Sequence, residues 1–250
     1  PETGTPAEPF GRVRGAHMVS GANAAMADEH HAVLVFDTHD PLAFDASLVA
    51  DLFSTGREWA DRARAADGEA ANYMLIWNCL WRAGGSIIHG HAQALLGSGL
   101  HYAHLERFHR AAVAYRGAHD RDLVADLAEL HRDLDLGVES SGVTTVAHLT
   151  PIKERELLVI GRPGMDERDP AFTDAVARAL IAYRDRIGVA SFNLALWQAP
   201  LDGRWPEFGP MVRLVDRGDP FSRPSDIGAM ELYGTPIVGS DPYEVMAQLR

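Results

Sequence analysis

The sequence predicts an α+β fold whose element plan occurs twice, over residues 30–138 and again over residues 139–250, behind an arm over residues 1–29. Three observations carry this. Short β-branched and aromatic runs are punctuated by Gly, Pro, Asp and Asn, capped amphipathic helices lie between them, and the order strand, helix, strand, strand occurs twice. The apolar fraction of 46% with scattered charge describes an ordinary globular chain.

Residues 1–28 are rich in Pro, Gly and Ala without periodicity and read as an extended arm. The run from His30 to Asp37 is a strand, ended by Thr38-His39-Asp40-Pro41. Asp45 then caps a helix whose Leu48, Leu52, Trp59 and Ala63 recur at helical spacing and face a core. Tyr73 to Asn78 and Ile87 to Leu96 are the next strands. Two helices follow. One runs from Leu105 to Tyr115, and the other starts after Asp122 with Leu123, Leu127, Leu130 and Leu134 as its expected buried stripe. In the second half, Val143 to Leu149 and Glu156 to Ile160 read as strands, and Asp169-Pro170 opens a helix that buries Phe172, Val176, Leu180, Tyr183 and Ile187. Strands are expected at Phe192 to Trp197, Met211 to Val215 and Ile227 to Leu232, and Pro242 opens a last short helix.

The stretch from Asn78 to Gln93, NCLWRAGGSIIHGHAQ, concentrates the chemistry. Side chains alternate faces along a strand, so His89, His91 and Gln93 are expected to project together. Such a pair of histidines suits a metal, because two imidazoles on one face can reach one ion, or a histidine nucleophile whose second nitrogen is tied down by an acceptor. Gly84 and Gly85 let backbone amides approach an anion, and the Ser86 hydroxyl adds a donor, which favours work on a phosphate. Satisfied core histidines are the plain alternative.

Asn78, Gly84, Ser86, His89, His91 and Gln93 together resemble the active-site motif of the galactose-1-phosphate uridylyltransferase-like branch of the histidine-triad (HIT) superfamily. The resemblance implies a HIT-like fold in which two fused half-domains form one mainly antiparallel sheet flanked by helices. It also implies a nucleotidyl-histidine intermediate on His91, Gln93 bonded to the phosphate, the His89 carbonyl holding the His91 ring, and Ser86 with the Gly84 and Gly85 amides stabilising phosphoryl charge. Asn78 would position the loop or a phosphate. A nucleotide or nucleotide sugar and a phosphorylated acceptor are the implied partners, and relatives commonly form homodimers.

The chain departs from that branch in three places. Relatives with a structural zinc supply two cysteines near the N-terminus, which this chain lacks; His39 and His89 fall near the other two ligand positions, so any zinc rests on that pair. The strand matching the second half's His-x-His reads Gly209-Pro210-Met211-Val212-Arg213, and the lysine that contacts the sugar phosphate has no counterpart before Gly228. Arg213, Arg217, Arg223 and Asp226 are candidate replacements, since a guanidinium fork suits phosphate oxygens.

Composition narrows the rest. A formal charge of −12 argues against a general nucleic-acid binder. No apolar run is long enough to span a bilayer, and no secretory signal is visible, so no membrane partner is expected. The lone Cys79 excludes an internal disulfide and fits a reducing cytoplasm. The first residue is Pro1, which points to a processed or trimmed start. The leading expectation is a nucleotidyltransferase or nucleotide-sugar phosphorylase. The alternatives are a HIT-type nucleotide hydrolase, a catalytically degenerate nucleotide-binding protein, and a metalloenzyme using His89 and His91.

Overall fold

The computed structural model describes residues 5–221, 229–230 and 234–250. Nine strands form one sheet: β1 (Met18–Ala22), β2 (His30–Phe36), β3 (Asn72–Cys79), β4 (His91–Gly97), β5 (Gly137–Ser140), β6 (Val143–Ala147), β7 (Leu157–Gly161), β8 (Phe192–Trp197) and β9 (Met211–Asp216). The spatial order is β1-β2-β4-β3-β8-β9-β7-β6-β5, and every adjacent pair is antiparallel. The order β1-β2-β4-β3 is thus mirrored by β6-β7-β9-β8 about the central β3–β8 pair. The register repeats as well: Phe36 N–H bonds the Gly90 carbonyl at 2.9 Å, and Gly161 N–H bonds the Pro210 carbonyl at 2.8 Å. Counting from these two bonds, His91 corresponds to Met211, Gln93 to Arg213 and His31 to Glu156.

Two long helices cover one face. Asp45 caps α1 (Ala46–Ala66) by accepting from Leu48 N–H, and Asp169 caps α4 (Pro170–Ala182) by accepting from Ala171 N–H, with Pro170 in the first turn, where a missing N–H costs nothing. Leu48, Leu52, Trp59 and Ala63 are buried, as are Phe172, Val176, Leu180 and Tyr183. They pack on Leu34, Phe36, Leu75, Trp77, Leu194 and Leu214, the residues that alternation sends to that side of the sheet. Each Leu, Val or Phe among them contributes about 1.5–3 kcal/mol on burial. The opposite face carries His31, Gln93, Ile76, Asn193, Ala195 and Arg213. It is covered only in part, by α2 (Ala103–His119) and α3 (Leu123–Asp133), whose Phe108, Val124, Leu127 and Ala128 rest on Val146, Leu158 and Met211. The C-terminal helix α5 (Pro242–Leu249) completes the helices among the described residues.

Several expectations are corrected. The arm is not all loop: its residues 18–22 form β1, and Trp59 donates from Nε1 to buried Glu8 at 2.8 Å, docking the segment on α1. The polar edge strand β5 was also unexpected. In α3 the expected leucine stripe is only partly buried. Leu127 and Leu134 pack against the core, Leu130 is 51% exposed, and Ala128 and His131 are its buried residues, because the helix lies over the edge strands β5 and β6. The motif strand begins at His91 rather than Ile87, and Ile87 and Ile88 are exposed in the preceding loop. The strand expected at Ile227 to Leu232 lies largely outside the described residues.

Candidate active site

The motif loop is built by close backbone approach. After β3 the chain turns at Leu80 (φ 67°) into a short 3₁₀ turn over Trp81–Ala83, and Gly84 (φ 88°) reverses it in the left-handed region. A Cβ on Gly85 would lie 2.7 Å from the Asn78 carbonyl oxygen and 2.9 Å from that of Leu80, so only glycine fits. Gly84 N–H donates to Trp81 O at 3.1 Å and Gly85 N–H to Leu80 O at 2.9 Å. Both amides expected to cradle an anion are therefore consumed by the turn that makes the loop. Ser86 is exposed at its rim.

His91 opens β4 and is 8% exposed. Its Nδ1 lies 2.8 Å from the carbonyl oxygen of His89. A carbonyl only accepts, so Nδ1 carries the proton and the neutral ring leaves Nε2 with a bare lone pair. Nε2 has no hydrogen-bond partner among the described residues and is not sealed from solvent. The arrangement can present an imidazole nucleophile.

Gln93 shares the face of His91. Its Oε1 lies 2.8 Å from Nε2 of His31, a buried histidine on β2. Asn78 is paired across the central strands with Asn193, whose Nδ2 donates to Asn78 Oδ1 and to the carbonyl of Ala83, each at 2.8 Å. Asn193 thereby ties the second half of the sheet to the motif loop. Asn193 and His31 were not expected at the site; the available signal was a lone polar residue in the apolar strand β8 and a histidine on the His91 side of β2.

His89 does not join His91 on the strand face. It precedes β4, donates from Nε2 to the Phe36 carbonyl at 2.7 Å and meets His39 with the two Nδ1 atoms 3.0 Å apart. That bond to Phe36 leaves its own Nδ1 as acceptor for His39 Nδ1–H. A structural zinc takes four ligands. The described residues bring together two and hold no group of three or more His, Cys, Asp or Glu able to bind a metal, so they do not fit a zinc site.

The arginine expectations divide. Arg213 extends over the Trp197 ring at 4.5 Å and donates from Nε at 2.7 Å and from Nη2 to buried Glu156, so the Nε–Nη2 edge of its fork is occupied. Glu156 accepts on its other oxygen from Ile152 N–H at 2.8 Å and lies 3.1 Å from His148 Nδ1. Burial pushes its carboxyl up, but the hydrogen bond from His148 and the charge of Arg213 outweigh this and hold it below the usual carboxylate value. Arg217 follows β9, and its carbonyl accepts from Arg82 Nε at 3.1 Å, placing it against the motif loop. Arg223 and Asp226 lie outside the described residues.

A cavity of 350 Å³ opens on the same sheet face, lined by Met74, Leu105, Asn193, Ala195, Trp197 and Arg213. No protein-family model matches the sequence, and no curated protein does. Solved structures do match. A uridylyltransferase structure superimposes with a TM-score of 0.78 at 16% identity over 100% of this chain and 89% of its own. The chain has the uridylyltransferase fold. A galactose-1-phosphate uridylyltransferase-like protein from Arabidopsis thaliana (TM-score 0.78, 15% identity, 98% of this chain and 91% of its own) shares it. So does an ADP-glucose phosphorylase of that plant with bound ADP-glucose (TM-score 0.77, 14% identity, 98% and 86%). The uridylyltransferase fold accounts for the single antiparallel sheet with its two mirrored halves. No helix among the described residues is long and apolar enough to cross a membrane.

Proposed function

We propose that the protein is a nucleotidyltransferase or nucleotide-sugar phosphorylase that carries a nucleoside monophosphate on His91. Nε2 attacks the α-phosphorus of a nucleotide sugar, an N–P bond forms, and the P–O bond to the sugar phosphate breaks, releasing that group with the bonding pair. A phosphorylated acceptor or inorganic phosphate then attacks the same phosphorus and returns His91 neutral. A neutral nucleophile suits the first step because it approaches an anionic phosphorus without charge repulsion, and two easier displacements replace one difficult one. The carrying observation is the 2.8 Å contact between His91 Nδ1 and the His89 carbonyl, which fixes the tautomer and steadies the charge gained in attack. The uridylyltransferase and ADP-glucose phosphorylase folds support the substrate class. The cavity beside Asn193 has the volume of a small-ligand pocket.

The test is incubation with α-labelled nucleotide sugars. Stoichiometric, acid-labile and base-stable label on the protein, absent from His91→Ala, is expected. No labelling by any nucleotide sugar or nucleoside diphosphate overturns the reading, and label released by water as readily as by phosphate converts it to a hydrolase.

A further inference from the structure

We propose that His31 is a positioning residue that sets which end of the Gln93 amide faces the reacting phosphate; this rests on the function proposed above. An amide has a donor end and an acceptor end of nearly equal size, so packing alone does not choose between them. Next to an anion only the NH₂ end stabilises.

The choice is made through the His31 ring, which is 6% exposed on β2. Its Nδ1 accepts from the backbone N–H of Ala27 at 3.1 Å. A backbone amide only donates, so Nδ1 carries no proton and the neutral ring holds its proton on Nε2. Nε2–H then requires an acceptor, and Gln93 Oε1 lies 2.8 Å away. The Asn23 amide nitrogen, 3.2 Å from the same Nε2, is itself a donor and leaves that role to Gln93. With its oxygen held toward β2, Gln93 turns its NH₂ away from His31, on the sheet face that also carries His91.

The second half of the sheet supplies an internal comparison. By register, His31 and Gln93 correspond to Glu156 and Arg213, and there too the residue on the outer strand grips the residue on the inner one. The fold has used these two positions twice as clamp and clamped. In the first half the clamp is a neutral donor, and what it leaves outward is a pair of N–H bonds.

The test has one arm that does not depend on turnover. Long-range ¹H–¹⁵N spectra of the imidazoles are expected to show His31 as the Nε2–H tautomer, and the Gln93 side-chain amide signals are expected to move in His31→Phe. An Nδ1–H tautomer, or Gln93 signals unchanged in that variant, overturns the proposal. In the second arm, His31→Ala is expected to slow nucleotidyl labelling of His91 by about 10- to 100-fold at saturating nucleotide with little change in nucleotide affinity, and His31→Gln, which restores a donor, to recover part of it. The double variant His31→Ala/Gln93→Ala should label no more slowly than Gln93→Ala, because the two residues act as a unit. A double variant slowed by the product of the single effects overturns the proposal. Should the unaltered protein take no label, the transferase reading fails, and the imidazole spectrum still decides whether His31 orients Gln93.

Discussion

The Nδ1 of His91 lies 2.8 Å from the carbonyl oxygen of His89, and the one residue between them, Gly90, is pressed against the end of β2. A Cβ at Gly90 would lie 2.8 Å from Cδ2 of Phe36 and 3.2 Å from the Thr38 carbonyl oxygen. Gly90→Ala is therefore expected to cost about 1–3 kcal/mol of stability through overpacking and to displace the His89 carbonyl. Calorimetry should show a melting point lower by about 2–4 °C for each kcal/mol, and labelling of His91 should fall at least tenfold.

Asn193 is expected to matter more than its place in a plain strand suggests. Asn193→Ala removes the donor to both Asn78 Oδ1 and the Ala83 carbonyl, and each deserted acceptor costs about 1–3 kcal/mol to the extent that it stays dry. Denaturant titration should show the loss, and limited proteolysis should cut earlier within residues 80–90. Unchanged proteolysis would mean that the loop holds itself.

Replacing Glu156 by Gln should be severe for stability. It leaves the Arg213 guanidinium, only 15% exposed, beside a neutral partner, and removing one member of such a pair costs about 3–5 kcal/mol. Equilibrium unfolding of Glu156→Gln against the parent checks this. The paired change Glu156→Gln/Arg213→Met should recover much of the loss.

Stability should also fall in mild acid before the carboxylates titrate. His101 stacks on Trp205 with centroids 5.3 Å apart, and its Nδ1 accepts from Tyr102 N–H at 2.8 Å. Burial, with the charge of Arg204, lowers its pKa to about 4. The folded pKa lies below the unfolded one, near 6.5. The unfolded chain therefore binds the extra proton first, and stability is intact above about pH 6.5 and drains away as pH drops toward 4. His131, also lowered by burial, acts in the same direction. Melting curves between pH 7.5 and 4.5 should show the decline, with a shallower slope in His101→Phe.

Much of the fold was legible because its central strands alternate cleanly. β3 and β8 place apolar residues inward at every second position, and the caps Asp45 and Asp169 announce α1 and α4. β1 and β5 were not legible, since a short edge strand needs few apolar residues and contains glycine or charge. In the leucine stripe of α3 only Leu130 misled, because periodicity reports a greasy side, not whether the sheet extends far enough to cover all of it. At the site, His91 and Gln93 were marked by the motif. The fate of the Gly84 and Gly85 amides depends on where Leu80 and Trp81 point their carbonyls, and residue types do not encode that. His31 and Asn193 come into play only when distant strands are aligned.

The mirrored halves have a consequence for polarity. One backbone plan is drawn twice, yet the two copies carry different side chains at matching points. By register Met211 stands where His91 does, and the Arg213–Glu156 ion pair stands where Gln93 and His31 meet. The sheet is symmetric in its path and lopsided in its polarity, so an imidazole stands on one side of the β3–β8 seam and a thioether, which neither gives nor takes a proton, on the other.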